Sequence, residues 1–129
     1  MSEGRGLSIV VIGASGDLAR RKIFPALFAL FCQNRLPEQT RFFGFARTVY
    51  TDEAFRQKVM ENLTCRYTPA HSCAERMAAF LARCHYGSGA YEHADSYIAL
   101  YERMKEVEGS GECDRMFYLA IPPAIFLDV

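Results

Sequence analysis

The chain has 129 residues, a suitable length for one compact domain, and half of them are apolar, which excludes a globally disordered chain. Fifteen basic and fifteen acidic side chains balance, so the net charge gives no reason to expect bulk attraction to nucleic acid or a membrane surface. The charge is uneven, because residues 1–50 carry seven basic and three acidic side chains, whereas residues 51–129 carry eight and twelve. The basic N-terminal part therefore favours an anionic ligand.

Signals for secretion, membrane insertion or metal binding are weak. No apolar stretch reaches the roughly 18 residues of a spanning helix, and the N-terminus lacks the apolar core of a secretion signal, so we expect a cytoplasmic protein. The five cysteines are odd in number and form no C-x-x-C pair, which argues against a zinc site or a thioredoxin-like motif. We expect reduced cysteines and no bound metal.

Strands and helices are predicted to alternate along the chain. Runs of β-branched and aromatic residues predict strands at 7–12, 41–46 and 115–121, whereas the glycines at 86–89 predict a loop. Helices are predicted at 17–33, after Thr51, at 72–82 and at 95–107. This alternation implies right-handed crossovers and a parallel sheet, so we predict an α/β fold of the Rossmann-like, doubly wound class with flanking helices.

Two of these helices allow more detailed predictions. Thr51 is expected to cap the second helix. Pro25 is expected to kink the first helix or to end its first turns. The apolar residues of the first helix that are expected to face the sheet are Leu18, Ile23, Leu27, Leu30 and Phe31.

The strongest functional pattern follows the first strand. Residues 13–19 read GASGDLA and lie between a buried strand and a helix, which is the context that a dinucleotide-binding turn requires. Gly13 would allow the tight turn, Gly16 would leave room for a pyrophosphate, and Ala19 would let the helix pack close to the strand. Open amides and the helix dipole would supply the anion site. The spacing differs from G-x-G-x-x-G, and a turn that merely joins strand to helix is the alternative.

Arg47 closes the second strand, where enzymes that select NAD usually carry an acidic residue. An arginine at this place can engage a 2′-phosphate through two parallel hydrogen bonds, and the hydroxyls of Ser15 and Thr48 could add donors. These residues therefore predict NADP as the cofactor. The alternative is an exposed surface arginine without a ligand.

Four segments resemble, in order, motifs of the glucose-6-phosphate dehydrogenase family. Residues 13–27, GASGDLARRKIFPAL, are similar to its coenzyme signature, and residues 43–47, FGFAR, to its second strand with the 2′-phosphate arginine. Residues 86–91, YGSGAY, and 117–123, FYLAIPP, resemble its tyrosine-glycine segment and its fourth-strand motif. The resemblance covers nearly the whole chain. It implies an NADP-dependent oxidoreductase that converts glucose 6-phosphate to the 6-phosphoglucono-lactone in the oxidative pentose phosphate pathway.

The resemblance also implies roles for individual residues. Ser15, Arg47 and Thr48 would surround the 2′-phosphate, Tyr118 and Pro122 would lie along the coenzyme, and Lys22 would lie near the substrate. Arg20 stands where the family usually has lysine, and Thr48 where serine or another polar residue often stands, so the cationic and hydroxyl chemistry is kept. The coenzyme turn would comprise Gly13, Ala14, Ser15, Gly16, Asp17, Leu18, Ala19 and Arg20.

The catalytic motifs of the family are not found in this sequence. Its Asp-His-Tyr-Leu-Gly-Lys motif, which carries the catalytic histidine, and its Glu-Lys-Pro motif are absent, and His71, His85 and His93 match neither. We therefore expect residues 1–129 to be an incomplete N-terminal NADP-binding domain, inactive by itself, that lacks the C-terminal substrate and dimerisation domain. The full-length enzyme is expected to be a homodimer or homotetramer, without nucleic-acid or membrane partners. The other hypothesis is a freestanding NADP(H)-binding sensor or interaction module without catalysis.

Overall fold

The computed structural model describes residues 6–64, 70–109 and 113–121, and the structural statements below concern these ranges. Pro122 and the end of the chain after it lie outside them. The strands are β1 (Gly6–Ile12), β2 (Thr40–Ala46), β3 (Cys84–Ser88) and β4 (Cys113–Leu119). The helices are α1 (Phe24–Cys32), α2 (Asp52–Met60), α3 (Ala70–Ala82) and α4 (Ala94–Glu108), and a π-helical turn (Ala19–Ile23) precedes α1.

The four strands form one parallel sheet in the order β3-β2-β1-β4. The chain proceeds from β1 outward through β2 to β3 and then crosses back to place β4 on the other side of β1. The winding therefore reverses between β1 and β4, and the carboxyl ends of these strands form a topological switch point, where open α/β sheets bind ligands. The Rossmann-like, doubly wound prediction is confirmed.

Helices pack on both faces of the sheet, whereas residues 114–119 of β4 are exposed. On one face, α1, α2 and α3 pack through Phe28, Phe55 and Phe80 against the side chains of Ile9 and Val11. On the other face, α4 contributes Leu100 and Met104 to a cluster with Val10 and Phe43. Burial on both faces explains why the β1 sequence is a continuous apolar run rather than an alternating one.

The strand β3 was not predicted, because residues 86–89 were expected to form a loop. Residues 86–88 belong instead to a strand that pairs with β2, with Tyr86 level with Gly44. The segment contains glycine and no β-branched residue, so its intrinsic preference for a strand is low. Its conformation depends on backbone pairing with β2 and on burial of Cys84 and Tyr86.

The helix after β1 is wider than expected just before Pro25. The amide of Phe24 donates to the carbonyl of Ala19, five residues earlier, which defines a π turn. Proline has no amide hydrogen and its ring clashes with the preceding turn, so this wider turn accommodates it. The extra residue in the π turn also rotates the residues before it relative to those after it, so the apolar face differs from the one predicted for a uniform helix. Leu18 and Leu30, predicted to face the sheet, are 51% and 36% exposed, and Phe24 and Phe28 are buried.

Cys32, Cys84 and Cys113 are free thiols. Cys73 is disulfide-bonded, so the expectation of reduced cysteines is wrong at this position. Among the described residues, no group of three or more histidine, cysteine or acidic side chains could hold a metal ion. No helix in the described ranges is both long and apolar enough to cross a membrane.

Candidate dinucleotide-binding site

The turn after β1 is held between the ends of β2 and β4, the two strands that flank β1. The amides of Gly13 and Ala14 both donate to the carbonyl of Phe45 on β2, at 2.7 and 3.2 Å. On the other side, a β-carbon on Gly13 would lie 2.3 Å from the carbonyl oxygen of Ala120, just after β4. Gly13 has φ of 90°, a conformation that glycine adopts without strain. The predicted need for glycine at this turn is confirmed.

Beyond the turn, the helix begins in an exposed position at the switch point. The amide of Gly16 donates to the Gly13 carbonyl at 3.0 Å, and the amide of Arg20 donates to the Gly16 carbonyl at 3.1 Å. Gly16 and Asp17 are exposed, whereas Ala19 is fully buried against the sheet. The first amides of a helix have no acceptor within it, and they carry the positive end of its dipole. This geometry can receive a phosphate or diphosphate.

Arg20 keeps unused hydrogen-bonding capacity beside this helix start. Its terminal nitrogen donates to the Asp17 carboxylate at 2.8 Å. Its Nε is buried and has no hydrogen-bond partner among the described residues. Arg21 and Lys22 are exposed in the π turn. The first turns of the helix thus present three cations at the edge where the open amides lie.

Arg47 and Thr48 follow β2 at the same edge of the sheet, since β1 and β2 are parallel neighbours. Both residues are exposed. The Arg47 guanidinium lies over the ring of Tyr91, 5.4 Å from its centre, a cation–π distance. None of the described carboxylates forms a salt bridge with Arg47, so its guanidinium is available to an anion.

Arg47 and Thr48 begin the loop after β2, which we call the second loop. Two tyrosines that were not predicted as site residues lie against it. The hydroxyl of Tyr86 donates to the carbonyl of Thr48, and it lies close to the side chain of Ser15. The Tyr91 hydroxyl lies close to the backbone of Arg47. Both tyrosines lie in the segment 86–91 that resembles a family motif, which was the one signal in the sequence that could have pointed to them.

A model of the family described as "Glucose-6-phosphate dehydrogenase, NAD binding domain" matches residues 10–129. The chain belongs to this family. The expected resemblance to glucose-6-phosphate dehydrogenase is therefore confirmed, and the glycine turn, Arg47 and the tyrosine segment all lie within the matched residues.

Individual relatives match nearly the whole chain. Glucose-6-phosphate 1-dehydrogenase, chloroplastic, of Spinacia oleracea is 52% identical over 95% of this chain and 21% of that protein. Inactive glucose-6-phosphate 1-dehydrogenase 4, chloroplastic, of Arabidopsis thaliana is 46% identical over 95% of this chain and 20% of its own length. A solved glucose-6-phosphate dehydrogenase in complex with its substrate aligns with a TM-score of 0.88 and 36% identity, over 95% of this chain and 26% of that one. The chain spans about a fifth of the length of these curated relatives.

The remaining predicted residues of this glucose-6-phosphate dehydrogenase family member are less constrained. Tyr118 is 47% exposed on β4, level with Val11 and therefore near the switch point. Pro122 lies outside the described residues. The roles of Tyr118, Pro122 and Lys22 stay predictions.

His85 is half-buried and stacks on Phe43, away from the glycine turn, and burial lowers the pKa of its imidazole.

Proposed function

We propose that this chain is the NADP-binding part of an enzyme that transfers a hydride from C1 of glucose 6-phosphate to NADP and gives 6-phosphoglucono-lactone. The observation that carries the proposal is the position of Arg47. It is an exposed arginine beside the glycine turn of a chain in this family. It forms no salt bridge with a carboxylate of the described residues. An acidic residue at this place would favour NAD, whereas arginine accommodates the 2′-phosphate of NADP.

The residues present fit a dinucleotide with a 2′-phosphate. Open amides at residues 17 and 18 and the helix dipole suit the diphosphate, and no side chain on Gly13 or Gly16 obstructs the backbone. Ser15, Arg47 and Thr48 offer two hydroxyls and a guanidinium on neighbouring loops, which suits a doubly charged phosphate. We assign the diphosphate to the turn 13–20 and the 2′-phosphate to Ser15, Arg47 and Thr48. When bound, NADP supplies the hydride acceptor.

The other half of the reaction needs groups beyond this coenzyme site. Loss of hydride from C1 must be accompanied by removal of the proton from its hydroxyl, which a positioned base performs. His85 stacks on a core ring rather than lying at the switch point, so it does not suit that role. We propose that the base and the main sugar-binding groups belong to a further domain of the full-length enzyme. Lys22, exposed in the π turn, would contribute a cation to the substrate phosphate.

The comparison with a relative that is named inactive supports a second candidate function, an NADP(H)-binding module without catalysis. A relative that is named inactive retains 46% identity over 95% of this chain, so similarity across this region is compatible with the loss of turnover. A binding module that senses NADP(H) without catalysis would use the same glycine turn and Arg47. The two functions differ in turnover and share the coenzyme site.

An assay of the full-length protein separates the two functions. Glucose 6-phosphate and NADP are supplied together, and formation of NADPH is followed by its absorbance, with glucose as the control substrate. The enzyme proposal predicts NADPH formation that depends on the sugar phosphate. Binding of NADP by calorimetry without any turnover would favour the sensor, and failure of both would reject the coenzyme site itself.

The location and assembly of the full-length protein are separate proposals. We propose a cytoplasmic homodimer or homotetramer, with assembly through a domain other than this one. The plant relatives are named chloroplastic, so microscopy of the tagged full-length protein tests the location. Light scattering of the purified protein tests the assembly.

A further inference from the structure

The residues assigned to the 2′-phosphate lie on two separate loops, one after β1 and one after β2, and one tyrosine lies beside both. The Tyr86 hydroxyl donates to the carbonyl of Thr48 and lies close to the Ser15 side chain. Tyr86 thus lies next to both hydroxyl residues of the proposed 2′-phosphate site while belonging to a third element, β3.

The third member of the site is held by a second tyrosine from the same segment. The guanidinium of Arg47 lies over the Tyr91 ring, and the Tyr91 hydroxyl lies close to the Arg47 backbone. Tyr91 is itself 5% exposed and packs on Phe45. An exposed arginine side chain with many rotamers is thereby placed on a rigid aromatic surface.

The Tyr86 hydroxyl is not required by the packing of its own ring. The ring lies 4.8 Å from that of Phe55 and 5.5 Å from that of Tyr50, centre to centre, within the apolar cluster on the α1–α3 face. A phenylalanine would keep both contacts. Burial, together with the neighbouring Tyr50 and Tyr91, raises the pKa of Tyr86 to about 12, so its hydroxyl remains protonated and can donate at neutral pH.

We propose that Tyr86 and Tyr91 are positioning residues that hold Ser15, Arg47 and Thr48 in the arrangement that recognises the 2′-phosphate of NADP. This inference rests on the proposed coenzyme specificity. Neither tyrosine needs to touch the phosphate. Because the loops are held before the ligand arrives, less flexibility is lost on binding, and this advantage applies to the phosphate that distinguishes NADP from NAD.

The test compares the affinities of the full-length protein for NADP and NAD by calorimetry. Loss of one neutral hydrogen bond corresponds to about a fivefold change in an equilibrium constant, so Tyr86→Phe is expected to weaken NADP binding by about that factor and to leave NAD binding unchanged. Tyr91→Leu removes the surface under Arg47 and should also lower the NADP preference. Tyr91→Phe keeps the ring and should restore part of it.

Thr40→Val is the matched control, because the Thr40 hydroxyl donates to the carbonyl of Pro37 at the opposite end of β2. This variant should lose the hydrogen bond of the Thr40 hydroxyl, and some stability, without changing the preference for NADP over NAD. An unchanged preference in Tyr86→Phe and Tyr91→Leu, in a protein where Arg47→Ala abolishes it, would overturn the positioning role. Equal weakening of NADP and NAD would also overturn it and assign the tyrosines to the fold. A protein with no NADP preference before substitution would reject the proposed cofactor, and this inference with it.

Discussion

Gly13 faces the carbonyl of Ala120 so closely that a β-carbon would lie 2.3 Å from its oxygen. The backbone of Gly13 also has φ of 90°, which other residues adopt only with strain. Two independent features therefore require glycine where the turn passes between β2 and β4. The contact ties the shape of the coenzyme turn to the position of the chain just after β4.

Gly13→Ala is expected to destabilise the protein severely. Strain at positive φ and displacement of the Ala120 backbone each contribute one to a few kcal/mol, so the free energy of unfolding should fall by about 3 kcal/mol or more. Urea denaturation measures this change as a lower midpoint. A loss below about 1 kcal/mol, within the range of ordinary surface substitutions, would contradict the close contact.

Gly16→Ala serves as the comparison in the same turn. Gly16 is exposed, and a β-carbon there would meet only the Gly13 oxygen, at 3.3 Å. We expect a loss of stability of about 1 kcal/mol or less, together with weaker binding of both NADP and NAD, because the methyl group would occupy space proposed for the shared diphosphate. Calorimetry with both coenzymes tests this prediction, and unchanged affinities would place the diphosphate elsewhere.

Thr51→Ala should remove the cap of α2. The Thr51 hydroxyl accepts from the amide of Ala54 at 3.1 Å, and loss of such a cap typically costs about 1 kcal/mol. Thr51→Ser keeps the accepting oxygen and should retain most of the stability. The two variants are compared by urea denaturation, and equal losses would show that the cap contributes little.

The stability of the protein should fall as pH drops below about 6.5, the ordinary pKa of histidine. Burial lowers the pKa of His85, against the opposing attraction of Asp52, and its Nδ1 is buried without a described partner. The unfolded chain therefore binds the proton first, and stability is lost on acidification towards the lower folded-state pKa.

His85→Phe tests this assignment, because phenylalanine can keep the stacking on Phe43 and cannot titrate. Its free energy of unfolding should depend less on pH between about 8 and 5 than that of the unsubstituted protein. Asp52 and Glu108 have lowered pKa values as well, but their stabilisation is present above the ordinary carboxyl range and is lost only at lower pH. Identical pH profiles between 8 and 5 would reject His85 as the source.

Local patterns were sufficient to predict β1, the glycine turn and the Thr51 cap. Each is encoded within a few consecutive residues by an apolar run, a glycine or a side-chain acceptor. The buried face of the first helix was predicted incorrectly at Leu18 and Leu30, because the π turn before Pro25 changes the helical phase. Sequence periodicity assumes a uniform helix and does not include that extra residue.

The contacts that organise the second loop could not be predicted in the same way. β3 becomes a strand through pairing with β2. That pairing brings the Tyr86 hydroxyl within hydrogen-bonding distance of the Thr48 carbonyl. The approach of Tyr91 to Arg47 likewise depends on the loop after β3 and on the packing of Phe45. These are relationships between residues that are distant in sequence, whereas propensity and spacing report on neighbours.

We propose that Arg47 recognises the 2′-phosphate of NADP beside the turn that is assigned to its diphosphate. The most direct test of this claim is calorimetric titration of the unsubstituted full-length protein and of Arg47→Ala with NADP and with NAD. Loss of charged hydrogen bonds to a phosphate should weaken NADP binding by about 10- to 100-fold and leave NAD binding within about twofold of its original value. Equal affinities of the unsubstituted protein for NADP and NAD, with neither altered by Arg47→Ala, would contradict the claim.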